Sequence, residues 1–313
     1  MLKYLIILLD KSSISFCHYD RKDSDCGLIS VEKLKEAIKF GMKENLMIQF
    51  VYPDYDLPNE YLSIIDSIDH INIKPFNQAG KDDVCVINIS DVGEFIQQIK
   101  YGTVVVRGTI CEFSRDINLF KKLIYNVVRV NMVLTSLTHI QNREISLYSK
   151  FLNEIVDYIV SETKKGRMLP KLNILTDRLT LDKMNNCNAG SETITIGPNG
   201  KFYICPGFYH DRDTDIELNG LYLTIPNKRL YELDNAPICR ECDAFQCHRC
   251  IWINKKRTNE VNTPGRNQCV ISHIERNASR ELLSKLRENG PFLKGISIPV
   301  LDYLDPFEKI INK

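Results

Sequence analysis

The sequence predicts an α/β protein in which a parallel sheet or partial barrel is followed by a cysteine-rich region. Apolar runs of strand length alternate with helical patterns up to about residue 180, which favours right-handed βα units. Beyond residue 180 the chain becomes rich in Cys, Gly, Pro and Asn. Seven of its 11 cysteines lie between residues 187 and 269, so we expect a change of architecture near residue 180.

The first strand is predicted at residues 3–9, because a continuous apolar run is typical of a strand buried on both faces. Further strands are predicted at residues 46–51, 84–89, 102–106, 126–135 and 171–175. Apolar residues at helical spacing predict helices at residues 30–42, 60–68, 92–99, 116–125 and 144–163. After residue 180, short strands at 193–196 and 201–204 flank a turn at 198–200, and a charged helix covers 279–288.

The composition is that of an ordinary globular protein. The 313 residues are 43% hydrophobic, and a net charge of +1 gives no support for binding nucleic acid or an anionic membrane. The apolar run at residues 4–9 is too short for a membrane span and lacks an export signal, so we expect a cytoplasmic protein. Disulfides are rare in the cytosol, and clustered cysteines are therefore interpreted first as metal ligands.

Four cysteines within 12 residues form two C-x2-C pairs separated by four residues. Each pair can present two sulfurs to one metal, so the four could close one tetrahedral zinc site. That interpretation leaves three nearby cysteines unexplained, whereas two iron–sulfur clusters would use all seven. Inert buried thiols are the third alternative, and His248 within the run is a further candidate ligand. The candidate metal ligands are Cys187, Cys205, Cys239, Cys242, Cys247, Cys250 and Cys269.

The order of these cysteines resembles that of the SPASM domain, the carboxyl-terminal extension of radical-SAM peptide maturases. The family's G-x4-C element is present from Gly200 to Cys205. The run at 239–250 is C-x2-C-x4-C-x2-C, one residue shorter in each of two gaps than the family pattern. The resemblance implies two auxiliary [4Fe–4S] clusters. One would be held by Cys239, Cys242, Cys247 and Cys269, and the other by Cys187, Cys205 and Cys250 with its fourth position open or filled from elsewhere.

The amino-terminal half resembles a radical-SAM barrel that has lost its usual cluster site. Such enzymes carry C-x3-C-x2-C after the first strand, where this chain has Cys17 at the last position but Asp10 and Ile14 at the other two. The segment after the second strand lacks the family's glycines, while residues 129–157 again resemble a radical-SAM strand-and-helix unit. The resemblance implies a degenerate radical-SAM-type (β/α) partial barrel and weighs against S-adenosylmethionine as a cofactor.

Residues 4–19 and 44–57, with the cysteine pattern, resemble the CXXX repeat peptide maturase family across essentially the whole chain. Its members are paired with small precursor peptides that bear Cys-x-x-x repeats. The resemblance implies maturation of a ribosomally made cysteine-repeat peptide, with clusters that transfer electrons or ligate substrate. A second protein of the modification system could take part. The expected division is a barrel at 1–180, a SPASM-like iron–sulfur domain at 181–275, and a terminal helix and tail at 276–313.

No catalytic residue is assigned from the sequence, which also leaves open whether the chain is an enzyme. Cys17, His18 and Asp54 are candidates because they follow the first two strands, at the edge where βα folds place active sites. An ordinary structural or solvated role is the alternative for each. Two other functions compete with maturation: a non-catalytic iron–sulfur partner that presents the precursor to another enzyme, and a zinc-stabilised binding module.

Metal analysis of the anaerobically purified chain tests these alternatives. Two [4Fe–4S] clusters predict about eight irons and about eight acid-labile sulfides per chain, with visible absorption. About one zinc and no sulfide per chain would instead indicate a structural metal and would remove redox chemistry from consideration.

Overall fold

A computed structural model of the chain describes residues 1–21, 26–99, 102–212, 217–218, 225–291, 293–300, 303–304 and 307. Most of the predicted tail beyond residue 300 lies outside these residues. The described part is α/β with mostly parallel strands, which confirms the predicted class. Among the described helices, none combines the length and the apolar character needed to cross a lipid bilayer.

Strands and helices alternate along much of the described chain. The strands are β1 (Tyr4–Leu8), β2 (Met47–Val51), β3 (Ile71–Pro75), β4 (Val84–Asn88), β5 (Thr103–Gly108), β6 (Arg129–Leu134), β7 (Lys171–Leu172), β8 (Thr193–Ile196), β9 (Phe202–Tyr203) and β10 (Glu217–Leu218). The α-helices are α1 (Val31–Lys43), α2 (Asn59–Ile65), α3 (Val92–Phe95), α4 (Ile110–Arg115), α5 (Ile117–Leu123), α6 (Asn142–Lys164), α7 (Pro206–Asp211), α8 (Ile251–Thr258) and α9 (Arg266–Arg287).

Backbone contacts divide the chain into two compact units, each built from two separate segments. The first unit comprises residues 1–86 and 187–236, and the second comprises residues 87–186 and 237–313. The functional division predicted at residues 180 and 275 stays a prediction.

In the first unit the strands follow the order β10-β9-β8-β1-β2-β3-β4. β1 lies between two parallel neighbours, since Tyr4 pairs with Met47 of β2 and with Thr193 of β8. The interior residues of β1 are buried, as its continuous apolar sequence predicts. β8 and β9 form an antiparallel hairpin, and Gly200 in their turn has φ of +80°, a conformation that favours glycine.

In the second unit β5, β6 and β7 are parallel and in that order. β7 has only two residues rather than the five predicted, because the chain turns after Leu172. The Asn173 side chain then continues the pairing with β6: its Oδ1 accepts the Met132 N–H at 2.9 Å, and its Nδ2 donates to the Met132 carbonyl at 2.9 Å. A side-chain amide thus replaces a peptide group in the ladder.

The long helices α6 and α9 form the core of the second unit. α6 buries Tyr148, Phe151 and Ile155, and the Tyr148 hydroxyl donates to the Glu275 carboxyl of α9 at 2.6 Å. The sequence predicts only the last part of α9, from residue 279, whereas the helix begins at Arg266. Glu275 and Arg276 lie on its buried face, so they interrupt the helical spacing of apolar residues by which a helix is predicted from sequence.

Replacing Phe151 with Ala should destabilise the chain by about 3–5 kcal/mol, because Phe151 packs against three other aromatic rings. Its ring centroid lies 6.0 Å from Phe113, 5.6 Å from Phe120 and 6.0 Å from Tyr148. Urea unfolding of the variant measures the change. The matched control is Met168→Ala, whose side chain is exposed and whose loss should change stability by less than about 0.5 kcal/mol. Equal effects of the two substitutions would contradict the packing.

Candidate metal centres

The cysteine run of the second unit folds into two tight loops that aim backbone N–H groups at sulfur. The Ala244 N–H donates to Cys242 Sγ at 3.5 Å, and the Arg249 N–H donates to Cys247 Sγ at 3.4 Å. In both loops the donor comes two residues after the cysteine. Hydrogen bonds of this kind orient a sulfur ligand and favour its negative charge.

Cys239 is buried and Cys242 and Cys247 are half-buried, and their sulfurs lie close enough to influence one another. Burial, with a smaller contribution from the Cys247 sulfur, raises the pKa of the Cys239 and Cys242 thiols to about 12. Burial also raises the pKa of Cys247. Without a cation these groups are thiols at neutral pH, and a bound metal would reverse that preference and release their protons. The donor set therefore fits a thiolate-bound metal or cluster.

Helix α9 contributes further polar groups to the same place. The Ser272 hydroxyl donates to the Gln268 carbonyl at 3.1 Å and is near enough to Cys247 to lower the pKa of its thiol. His273 Nε2 lies 3.3 Å from Cys242 Sγ. Cys242, Asp243 and His273 each offer a donor atom, and these atoms all lie within 4.8 Å of one another. Cys269 is buried one turn before His273, and residues four apart share a helix face.

Two buried arginines set the charge balance around these sulfurs. Arg249 is 2% exposed, and its side chain is hydrogen-bonded to the Cys239 sulfur. Arg276 is fully buried and donates from Nη1 to Asp243 Oδ1 at 2.8 Å. Because an isolated buried charge is costly, Arg276 is matched by Asp243. Negative charge on the Cys239 sulfur would interact favourably with Arg249.

The first unit brings together a second group of cysteines. The Phe208 N–H donates to the Cys205 carbonyl at 3.1 Å, and the N–H groups of Gly207 and Phe208 are near enough to the Cys205 sulfur to lower the pKa of its thiol. Burial raises the pKa of Cys205 well above its ordinary value, and the sulfurs of Cys187 and Cys17 are close enough to raise it further. Cys187 is exposed and Cys17 half-buried, so this group is more accessible than the one in the second unit.

Cys17 reaches this group because its segment packs against α7. The Tyr19 ring stacks on the His210 ring with centroids 5.2 Å apart, which fixes the chain just after Cys17 beside the helix that follows Cys205. Cys250 immediately precedes α8 and belongs to the second unit. The ligand set of Cys187, Cys205 and Cys250 draws on both units and stays a prediction.

Asp10 occupies the loop after β1, where the first cysteine of the usual radical-SAM motif would lie. Its carboxylate is fully buried and accepts hydrogen bonds from the backbone and hydroxyl of Ser12, the Gly27 N–H and the Tyr55 hydroxyl, at 2.7–2.8 Å. Burial alone would raise the pKa of Asp10, but these hydrogen bonds together hold it below its ordinary value. Asp10 is thus an ionised anchor for the loop.

The catalytic candidates differ in their surroundings. Cys17 lies with the other cysteines of the first unit, and His18 is buried beside it. Asp54 is half exposed and forms a 2.7 Å ion pair with Arg21, an arrangement that is usual for a structural surface carboxylate. The catalytic role of these three residues stays a prediction.

The sequence interpretation missed His273, Ser272 and Arg249. It named His248 as the alternative ligand, but His248 Nε2 lies 3.1 Å from the Asn173 side-chain amide. The four-residue spacing of Cys269 and His273 is the signal that could have identified His273, had the start of α9 been predicted. Comparison with protein-family models and with curated proteins finds no match to this chain.

Single cysteine substitutions separate the two centres. If each holds a [4Fe–4S] cluster, Cys239→Ser and Cys187→Ser should each lower the iron content by about four atoms per chain, because each removes a ligand of a different cluster. Iron and sulfide analysis after anaerobic purification measures the loss. Cys111→Ser is the control, because Cys111 is an exposed residue of α4 outside both groups. Loss of iron from the control, or no loss from either test variant, would contradict the assignment.

Proposed function

We propose that this chain is an iron–sulfur protein that acts in the maturation of a ribosomally made, cysteine-repeat (CXXX) peptide. The observation that carries the proposal is the group of Cys239, Cys242 and Cys247, whose sulfurs are near enough to raise one another's pKa and two of which accept backbone N–H hydrogen bonds. The resemblance of the cysteine order to SPASM-type maturases supplies the substrate class. A degenerate radical-SAM-type barrel and a SPASM-like domain are part of the same proposal.

The two cysteine groups suit different tasks. Bound iron–sulfur clusters would supply one-electron transfer, or an open iron position for a sulfur ligand. In the second unit Cys239 and Arg249 are buried and Cys242 and Cys247 half-buried, and limited exposure suits a centre that holds an electron away from water. In the first unit Cys187 is exposed, and this accessibility suits contact with a cysteine of the peptide.

Reductive cleavage of S-adenosylmethionine is not part of the proposed chemistry. The carboxylate of Asp10 is committed to four hydrogen bonds with Ser12, Gly27 and Tyr55. Ile14, at the second position of the motif, is buried, and its N–H donates to the Tyr52 carbonyl at 2.9 Å. Of the three positions, only that of Cys17 offers a sulfur ligand, and three are needed for the usual cluster.

The lack of sulfur ligands at the positions of Asp10 and Ile14 favours a second candidate function, in which the chain binds the precursor and presents it to another enzyme. This alternative keeps both cysteine groups and the peptide partner. It differs in one measurable respect, because the peptide would bind without a change of mass. A zinc-stabilised binding module is the third candidate, favoured by the histidine beside Cys242, since three cysteines and one histidine form a common zinc site.

Anaerobic incubation of the reduced chain with a synthetic Cys-x-x-x repeat peptide tests the proposal. We expect a change in peptide mass by mass spectrometry, with S-adenosylmethionine neither required nor cleaved. A peptide with serine in place of every cysteine is the matched control and should stay unchanged. Tight binding without a mass change would favour the presenting role instead, and absence of both binding and modification would overturn the proposal.

A further inference from the structure

We propose that Cys242, Asp243 and His273 form a site for one divalent metal ion, and that Zn²⁺ is the ion this donor set fits best. One sulfur, one carboxylate oxygen and one imidazole nitrogen would bind the ion, and a fourth position would remain for water. The inference goes beyond the proposed function and does not depend on it. It removes Cys242 from the cluster ligands that the family resemblance implies and leaves the other three cysteines for that cluster.

The three donor atoms lie close enough together to bind one small ion. Bonds of about 2.3 Å to sulfur and about 2.0–2.1 Å to nitrogen and oxygen, in tetrahedral geometry, place donor atoms about 3.4–3.6 Å apart. His273 Nε2 lies 3.3 Å from Cys242 Sγ, and a carboxylate oxygen of Asp243 lies within 4.8 Å of both atoms. The sulfur–nitrogen separation is therefore close to the required value, and the carboxylate oxygen needs a shift on the order of 1 Å.

Asp243 offers one oxygen to an arginine and the other to the metal. Arg276 Nη1 donates to Asp243 Oδ1 at 2.8 Å. Asp243 Oδ2 is a buried atom that accepts no hydrogen bond from the part of the chain that the structure describes. A buried carboxylate oxygen without a donor is unfavourable, and a bound cation would satisfy it. The arginine would at the same time orient the carboxylate, as residues around metal ligands commonly do.

The other two donors are held in place by the chain around them. The Ala244 N–H donates to Cys242 Sγ at 3.5 Å and orients the sulfur. His273 is only 1% exposed, so packing limits the movement of its ring. Its helix, α9, is anchored to α6 by the buried hydrogen bond between Tyr148 and Glu275. The site is thus built on side chains whose positions are fixed before a metal binds.

The chemistry of the donors favours a single zinc ion over the other common metals. Thiolate, imidazole and carboxylate are all ligands of Zn²⁺, whereas Mg²⁺ and Ca²⁺ prefer oxygen ligands alone. In a [4Fe–4S] cluster each protein ligand binds a different iron, so two donors 3.3 Å apart suit one ion instead. Cys242 is half-buried and the Asp243 side chain is 20% exposed, which allows water to reach the ion.

Zinc binding by the full chain, purified anaerobically and equilibrated with Zn²⁺, is the first test. We expect a bound ion whose X-ray absorption fine structure shows one sulfur at about 2.3 Å and two or three nitrogen or oxygen atoms at about 2.0 Å. Three or four sulfur ligands would indicate a thiolate site and would overturn the inference. Absence of zinc binding would overturn it as well.

Substitutions identify the ligands. His273→Gln and Asp243→Asn should each weaken zinc binding by more than about 100-fold in competition with a chelator, because residues outside the ligand set typically cost about 10–100-fold. Glu241→Gln is the matched control: it removes a carboxylate on the other side of Cys242 whose side chain is 74% exposed, and it should bind zinc as the wild type does. Unchanged affinity in His273→Gln would overturn the inference, even if Asp243→Asn fails to fold.

Iron analysis separates this inference from the proposed function. Cys242→Ser should lose the zinc but keep its iron and sulfide, whereas Cys239→Ser should lose about four irons. A loss of about four irons from Cys242→Ser would overturn the inference and leave the proposed function intact. Absence of both peptide binding and peptide modification would overturn the proposed function and leave the zinc site unaffected.

Discussion

The packing of the second unit depends on the buried hydrogen bond between Tyr148 and Glu275, which joins its two longest described helices. Burial raises the pKa of Glu275 to about 8, so its carboxyl is mostly protonated at neutral pH and avoids the cost of a buried charge. The bond sets where α9 lies along α6. Because His273 is two residues before Glu275, the same contact determines which polar groups α9 brings to Cys242 and Cys247.

The packing of the second unit also affects metal binding, because it determines the surroundings of the thiols. Cys239 and Cys242 are held in protein surroundings that disfavour their ionised forms, yet backbone N–H groups and Arg249 are already placed to receive negative charge. Such surroundings are poorly matched to neutral thiols and well matched to metal-bound thiolates. A metal bound by these sulfurs would therefore also stabilise the fold, and the two cysteine groups should differ in the size of this effect, since Cys187 is exposed.

The sequence predicted strands whose buried residues are apolar, such as β1. It missed the first half of α9, where polar residues are buried. The uninterrupted apolar run of β1 and the four residues of β8 were predicted closely. The first half of α9 was missed because Glu275 and Arg276 face inward, where a pattern of apolar residues is expected. β7 was predicted too long because a side chain, Asn173, takes over the pairing that backbone would otherwise make. The cysteine spacing indicated a metal site, but no spacing rule relates Cys242 to a histidine 31 residues away.

Asp10 holds the loop after β1 in place through hydrogen bonds to its carboxylate. A loop that ends a buried strand needs hydrogen-bond partners for its backbone groups. In this chain one carboxylate serves as such a partner, by accepting hydrogen bonds from Ser12, Gly27 and Tyr55. The loop is thus held by hydrogen bonds within the chain. The same segment continues to Cys17, which is near enough to Cys205 to raise the pKa of its thiol, as Cys187 also does.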